Sequence, residues 1–198
     1  MKNNNQYLGE ILESLEIKKK LIGLNKEVFL SIEKIFSTIK NGGKIFICGN
    51  GGSAADAQHL SAEFLVRLNP KINRRPFPMI SLAMDTSTLA ACGNDFDFKH
   101  IFSRNLEALG CKKDLLIVIS TSGNSRNIIE VLKTSKKMKI FSIGLLGSNG
   151  GVAKKLSNLN LIVPHQKVSR IQECHIFLGH FILGIVESML LSNEKKKI

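Results

Sequence analysis

His59 and Glu63 stand four residues apart, so on a helix both side chains project from one face. A histidine and a carboxylate at that spacing suit shared ligation of a metal ion, and equally an ordinary surface pair. Near the end of the chain, an apolar stretch carries Gln172, Glu173, His175 and His180. Gln172 and His180 are eight apart, about 12 Å along a helix axis, so sharing one ion would need long side chains reaching towards each other. His175, three residues from Gln172, is easier to bring in. Spacing alone leaves the choice between His175 and His180 open, and a histidine on an apolar face also serves as a packed core residue.

A second chemistry lies in two small-residue loops. Gly49, Asn50, Gly51, Gly52 and Ser53 follow the apolar run 44–48. Ser120, Thr121, Ser122, Gly123, Asn124 and Ser125 follow the apolar run 115–119. Each loop leads into a helical pattern. Strand, small polar loop and helix start make an anion site, because free backbone N–H groups and the positive end of the helix dipole point at the loop. Helix capping by Ser125 explains one hydroxyl of the second loop, not four; a phosphate cradle explains them together. The first loop also fits a relaxed dinucleotide fingerprint. The acidic ribose partner expected about 20 residues on has no counterpart before Asp85, however, which disfavours that reading.

The elements that must position these groups follow from periodicity. Residues 6–40 read as one or two amphipathic helices, stopped by Asn41, Gly42 and Gly43. Beyond them the chain alternates. Strands are expected at 44–48, 79–84, 115–120, 140–146 and 159–163. Helices are expected at 53–68, 86–92, 98–109, 125–137, 152–156 and 168–191, with Asn94 and Asp95 turning the chain into the helix at 98. Residues 69–78 are basic and proline-bearing and read as a loop, and the lysine-rich tail at 195–197 reads as frayed. Five short apolar strands separated by helices imply an α/β fold, a doubly wound five-stranded parallel sheet covered on both faces. Ligands of such sheets bind at strand carboxyl ends near a switch in strand order, where both loops fall. One domain spanning 1–198 is expected.

Composition narrows the classes. The chain has 198 residues, 43% of them hydrophobic, and a formal net charge of +12. Its lysines fall in short runs on helix faces and turns. One tyrosine and no tryptophan leave few platforms for stacking bases, so no nucleic-acid partner is expected. No uninterrupted apolar run approaches the roughly 18 residues of a membrane span, and the opening MKNNNQYLGE has no signal-like apolar core. Cys48, Cys92, Cys111 and Cys174 form no CxxC pair, and reduced thiols in a cytoplasm are expected.

Four segments carry a resemblance. CGNGGSAADAQHLSAE (48–63), DTSTLAACGNDFDF (85–98), ISTSGNS (119–125) and RIQECHIFLGH (170–180) closely resemble the phosphoheptose isomerases, sugar-isomerase (SIS) domain enzymes. The resemblance covers nearly the whole chain. It implies conversion of sedoheptulose 7-phosphate into D-glycero-D-manno-heptose 7-phosphate, an early step towards the heptose of surface polysaccharide. It implies a homotetramer with active sites lined by more than one subunit, residues 1–40 serving in packing and oligomerisation. It implies one Zn²⁺ per subunit held by His59, Glu63, Gln172 and His180, and so selects His180 over His175. It implies substrate contacts from Gly51, Gly52, Ser53, Glu63, Asn94, Asp95, Ser120, Thr121, Ser122, Ser125 and Gln172. One departure is visible: Ser169 stands where some relatives carry an acidic residue before the RIQE arginine.

Moving a proton between C1 and C2 through an enediol needs a base near carbon and an acid near the carbonyl oxygen. Glu63 is the expected base, and His180 the group donating and accepting at the oxygens. Three rival readings share the fold: a replication-initiator-associating protein without catalysis, a sugar-phosphate sensor, and an isomerase of hexose phosphates. The first lacks catalytic residues at the positions of Glu63 and His180, and this chain keeps both. The sensor would need the serine loop without the His59, Glu63, Gln172 and His180 set.

Overall fold

In the computed structural model, which describes residues 2–195, five parallel strands form one sheet in the order β2-β1-β3-β4-β5. They are β1 (Ile45–Gly49), β2 (Met79–Ser81), β3 (Leu115–Ser120), β4 (Phe141–Gly147) and β5 (Leu159–Val163). Side chains alternate between two cores. Ile45, Ile47, Leu115, Ile117 and Ile119 face one layer; Phe46, Cys48, Leu116 and Val118 face the other. Strands buried on both faces need apolar residues at every position, as these runs have.

The first layer holds α2 (Asn25–Lys40), α3 (Gly52–Leu65) and α7 (Val168–Lys195); the second holds α4 (Thr86–Asp95), α5 (Ser103–Leu109) and α6 (Arg126–Lys137). The crossover from β1 to β2 therefore uses one face and that from β3 to β4 the other. The strand order reverses between β1 and β3, which pair in register from Ile45↔Leu115 to Gly49↔Ile119. Both small-residue loops leave the sheet at that switch point.

Helix α1 (Lys2–Lys20) continues through a 3-10 turn (Leu21–Leu24) into α2. It is tied to the start of α7 by Lys167 with Glu10 and Glu13, and by Ser14 with Glu173. Helix α7 is long and apolar enough to cross a membrane by length and composition, although no uninterrupted apolar run announces it. Half of its apolar stretch is buried inside the protein, so it serves as the core helix of the first layer.

Several boundaries differ from the periodic pattern. Helix α3 stops at Leu65 rather than 68, because the Phe64 carbonyl accepts from the Phe77 amide and from Arg74. Strand β2 ends at Ser81, where the Ser81 hydroxyl accepts from the Ala83 amide and turns the chain. Asn94 and Asp95 close α4 instead of opening the next helix. The expected helix at 98–109 is split into a 3-10 turn (Phe98–His100) and α5, because the Asp97 carboxylate accepts from the Lys99 amide and starts a separate turn. The residues expected to form a short helix at 152–156 form a 3-10 turn (Ala153–Lys155). The expectation of a frayed tail falls largely on residues outside those described.

Candidate functional site

Helices α3 and α7 run side by side in the same direction. Two close approaches mark their seam: Gly52 meets the amide of Gln172, and Leu60 meets Gly179; past the end of α3, Leu68 reaches Gly184 in ordinary contact. A β-carbon on Gly52 would lie 2.5 Å from Gln172 Nε2. At the middle of this seam His59 Nε2 is 2.8 Å from His180 Nε2, with the rings nearly perpendicular. Glu63 Oε1 lies 3.6 Å from His59 Nε2. Donor atoms of His59, Glu63 and His180 all fall within 4.8 Å of one another.

Two imidazole nitrogens and a carboxylate oxygen converging in this way are a donor set for a borderline metal such as zinc. Asp56, one turn before His59 on α3, adds to the local negative charge. Its Oδ2 is buried with no hydrogen-bond partner. Burial pushes the Asp56 carboxyl above its usual range, while His59 and His180 pull it back. Sequence reasoning passed over Asp56; its spacing of three from His59 and seven from Glu63 was the available signal.

His175 goes elsewhere. It is fully buried in the first layer, and neither ring nitrogen has a hydrogen-bond partner. Burial holds its pKa down at about 4, opposed only by the backbone at Leu146. Of the two histidines that spacing left open, His180 meets His59 and His175 is enclosed in the core.

The two loops lie at the start of α3 and α6. No side chain caps either helix: Gly51 occupies the cap position of α3, and Ser125 that of α6 without making a capping bond. By contrast, Asp85 caps α4 through the amides of Ser87 and Thr88. Uncapped starts leave backbone donors for a ligand. Within the second loop, Ser120 Oγ accepts from the Gly123 amide at 3.0 Å and Ser122 Oγ from the Asn124 amide at 3.1 Å, which holds the turn shut. Gly123 adopts φ 65° and presses on Gly150, where any side chain would clash with backbone. Residues 147–151, which carry no chemistry themselves, therefore support the serine loop from below. The Ala153 amide donates to the Gly123 carbonyl, and the Val152 amide to Asn124 Oδ1.

Asn94 and Asp95 are the exposed last residues of α4. Their side chains hydrogen-bond to each other at 2.8 Å, and Asp95 borders an open cavity shared with Arg104. Ser169 is exposed in the first turn of α7.

The family model described as "SIS domain" matches residues 6–147. A phosphoheptose isomerase of Campylobacter concisus is 49% identical over 158 residues, covering 80% of this chain and 82% of its own. One of Chlorobaculum parvum is 43% identical over 185 residues, 92% of this chain and 88% of its own. The solved structure of a phosphoheptose isomerase from Neisseria gonorrhoeae superposes with a TM-score of 0.87 at 37% identity, covering 93% of this chain and 98% of that one.

Proposed function

This chain belongs to the SIS domain family and, within it, to the phosphoheptose isomerases, and from that premise we propose how its residues carry out the reaction. It is an isomerase, converting sedoheptulose 7-phosphate into D-glycero-D-manno-heptose 7-phosphate and supplying heptose for surface polysaccharide. The observation that carries the residue-level reading is the meeting of His59, Glu63 and His180 on a seam whose other end reaches the start of α3, where Gly51 supplies no side-chain cap.

About 10 Å along the axis of α3 separates Gly52 from His59. An open-chain sugar phosphate spans that interval, its phosphate held by Ser53 and by Ser120, Thr121, Ser122 and Ser125, with the amides of Gly51 and Gly52 donating. Gln172, packed on Gly52, touches the sugar between the two ends. Asn94 and Asp95 contribute where subunits meet.

Gln172, the fourth expected ligand, packs instead on Gly52, about 10 Å along the seam from His59. His59, Glu63 and His180 would hold one zinc ion per subunit. Bound there, zinc supplies Lewis-acid polarisation of the carbonyl oxygen. The Glu63 carboxylate takes the proton from C1 and returns it at C2. His180 gives a proton to the oxygen on C2 and accepts one from the oxygen on C1, so that the ketose leaves as the aldose. Ligation would weaken a carboxylate as a base, so holding the metal and moving the proton would compete for the same Glu63 carboxylate.

A homotetramer fits the exposed apolar surface. Leu8, Ile11, Leu12 and Leu15 line one exposed stripe of α1, and Phe177 and Phe181 of α7 border an open groove of about 460 Å³ with Leu21 and Ile22. Residues 1–40 thus complete a single SIS domain and supply a surface for a neighbouring subunit. The described cysteines are unpaired, which suits a reducing cytoplasm.

The test is incubation of the purified protein with sedoheptulose 7-phosphate, with and without a chelator. Aldose should form, disappear with chelator and return with added zinc. If none forms even with zinc present, the chain is a binding module rather than an enzyme.

A further inference from the structure

The two loops are joined by a pair of side chains that the mechanism above does not use. Asn50, in the first loop, donates from Nδ2 to Asn127 Oδ1 at 2.9 Å. Asn127, in the first turn of α6, donates from Nδ2 to Asn50 Oδ1 at 2.8 Å. Such a closed amide pair satisfies one donor and one acceptor on each side and fixes both side chains in one orientation. The two partners are anchored differently. The Asn50 carbonyl accepts from the Ser53 amide as α3 begins, and Asn127 Oδ1 also accepts from the Ile128 amide at 3.0 Å. Asn127 is 1% exposed, enclosed beneath the loops and out of reach of a ligand.

We propose that the Asn50–Asn127 pair is a positioning element that sets the spacing of the two loops and thereby the grip of the enzyme on the phosphate of its substrate. The proposal rests on the reading of these loops as the phosphate cradle. β1 and β3 are neighbours in register, so the sheet fixes the loops only at their roots. Past Gly49 and Ser120 the chain leaves the sheet, and neither cap residue, Gly51 or Ser125, makes a side-chain capping bond. The amide pair is the side-chain link that crosses from one loop to the helix of the other. Donors aimed at one anion must keep their mutual distances, and misplacement by a fraction of an ångström weakens each bond. The reacting groups are two turns further along α3, so loosening the loops affects phosphate affinity before it affects proton transfer.

The experiment compares Asn127→Ala, Asn50→Ala and the double variant by steady-state kinetics, with inorganic phosphate as a competing ligand. Each single variant should raise KM and the phosphate inhibition constant together, by about five- to tenfold, with kcat within about twofold of the parent. The double variant should be no worse than either single, because the pair acts as a unit. Unchanged KM and phosphate inhibition in Asn127→Ala would overturn the proposal, as would effects that multiply in the double variant, or a fall in kcat alone. If Asn127→Ala does not fold, Asn127→Ser and the part-exposed Asn50→Ala give the same readout. If inorganic phosphate does not compete in the parent enzyme, the phosphate reading of the loops fails, and the pair's role falls with it.

Discussion

Leu60 of α3 rests directly on Gly179 of α7: a β-carbon at position 179 would lie 2.5 Å from Leu60 Cδ1 and 2.8 Å from Cδ2. These two residues are the chain neighbours of His59 and His180. The absence of a side chain at 179 is what lets the helices approach until the imidazoles meet. Gly179→Ala should push α7 away, costing about 1–3 kcal/mol of stability and a larger share of activity than of fold. Trimming the opposing residue in a Leu60→Val, Gly179→Ala double variant should recover part of the activity. Thermal melting alongside kcat is the check, and activity unchanged in Gly179→Ala would show that the helix spacing does not matter to the site.

Arg74 forms a buried ion pair with Glu187 of α7, and its other donors reach the carbonyls of Glu63, Phe64 and Arg75. Its guanidinium also lies 4.3 Å from the ring centre of Phe77. It thus closes the last turn of α3, the turn that carries Glu63. Removing one partner strands the other charge in the core, so Glu187→Leu should cost about 3–5 kcal/mol. Replacing both, with Arg74→Met and Glu187→Leu, should cost less than that single change, as chemical denaturation would show. A double variant less stable than the single would mean that the carbonyl contacts of Arg74 outweigh the ion pair.

The layer architecture, the parallel sheet and the position of both loops were legible because strand runs such as 115–119 are apolar at every position and are followed by small polar residues. The pairing of His59 with Glu63 was legible from helical spacing alone. The partner histidine was not, since both His175 and His180 lie in an apolar stretch and only the crossing of α3 and α7 separates them. That crossing depends on Gly52, read as part of a loop, and Gly179, a glycine inside a helical pattern; the meaning of both is a close approach and cannot be assigned without the other helix. Arg74 read as part of a basic loop. Its role arises from contacts with residues 63–64 and 187, far apart in sequence.

His175 makes stability depend on pH. Buried without a partner, it has a folded pKa of about 4 against 6.5 when free. A depressed histidine pKa means that the unfolded chain binds the proton first. The neutral folded form is at full stability above pH 6.5 and loses stability as pH falls through 6.5 towards 4. The loss approaches about 3 kcal/mol at roughly 1.4 kcal/mol per unit. Unfolding free energies at pH 7.5 and 5 should therefore differ less in His175→Leu than in the parent. Equal pH slopes in the two proteins would show that His175 is hydrated or paired in solution.

In the proposed mechanism the proton transfer turns on Glu63. Its carboxylate is half-buried on the face of α3 that meets α7, with one oxygen 3.6 Å from His59. Glu63→Gln keeps the size and the hydrogen-bonding reach of the side chain while removing the charge and the base. Turnover should fall by about 10² to 10⁴-fold, with the melting temperature of the chelator-treated protein little changed, because the group makes no buried ion pair that the fold depends on. Solvent-deuterium incorporation at C1 of sedoheptulose 7-phosphate separates the two duties of this residue. A variant that binds metal yet exchanges no deuterium has lost the base; one that exchanges deuterium at the parent rate removes Glu63 from the proton path and leaves it as a ligand alone.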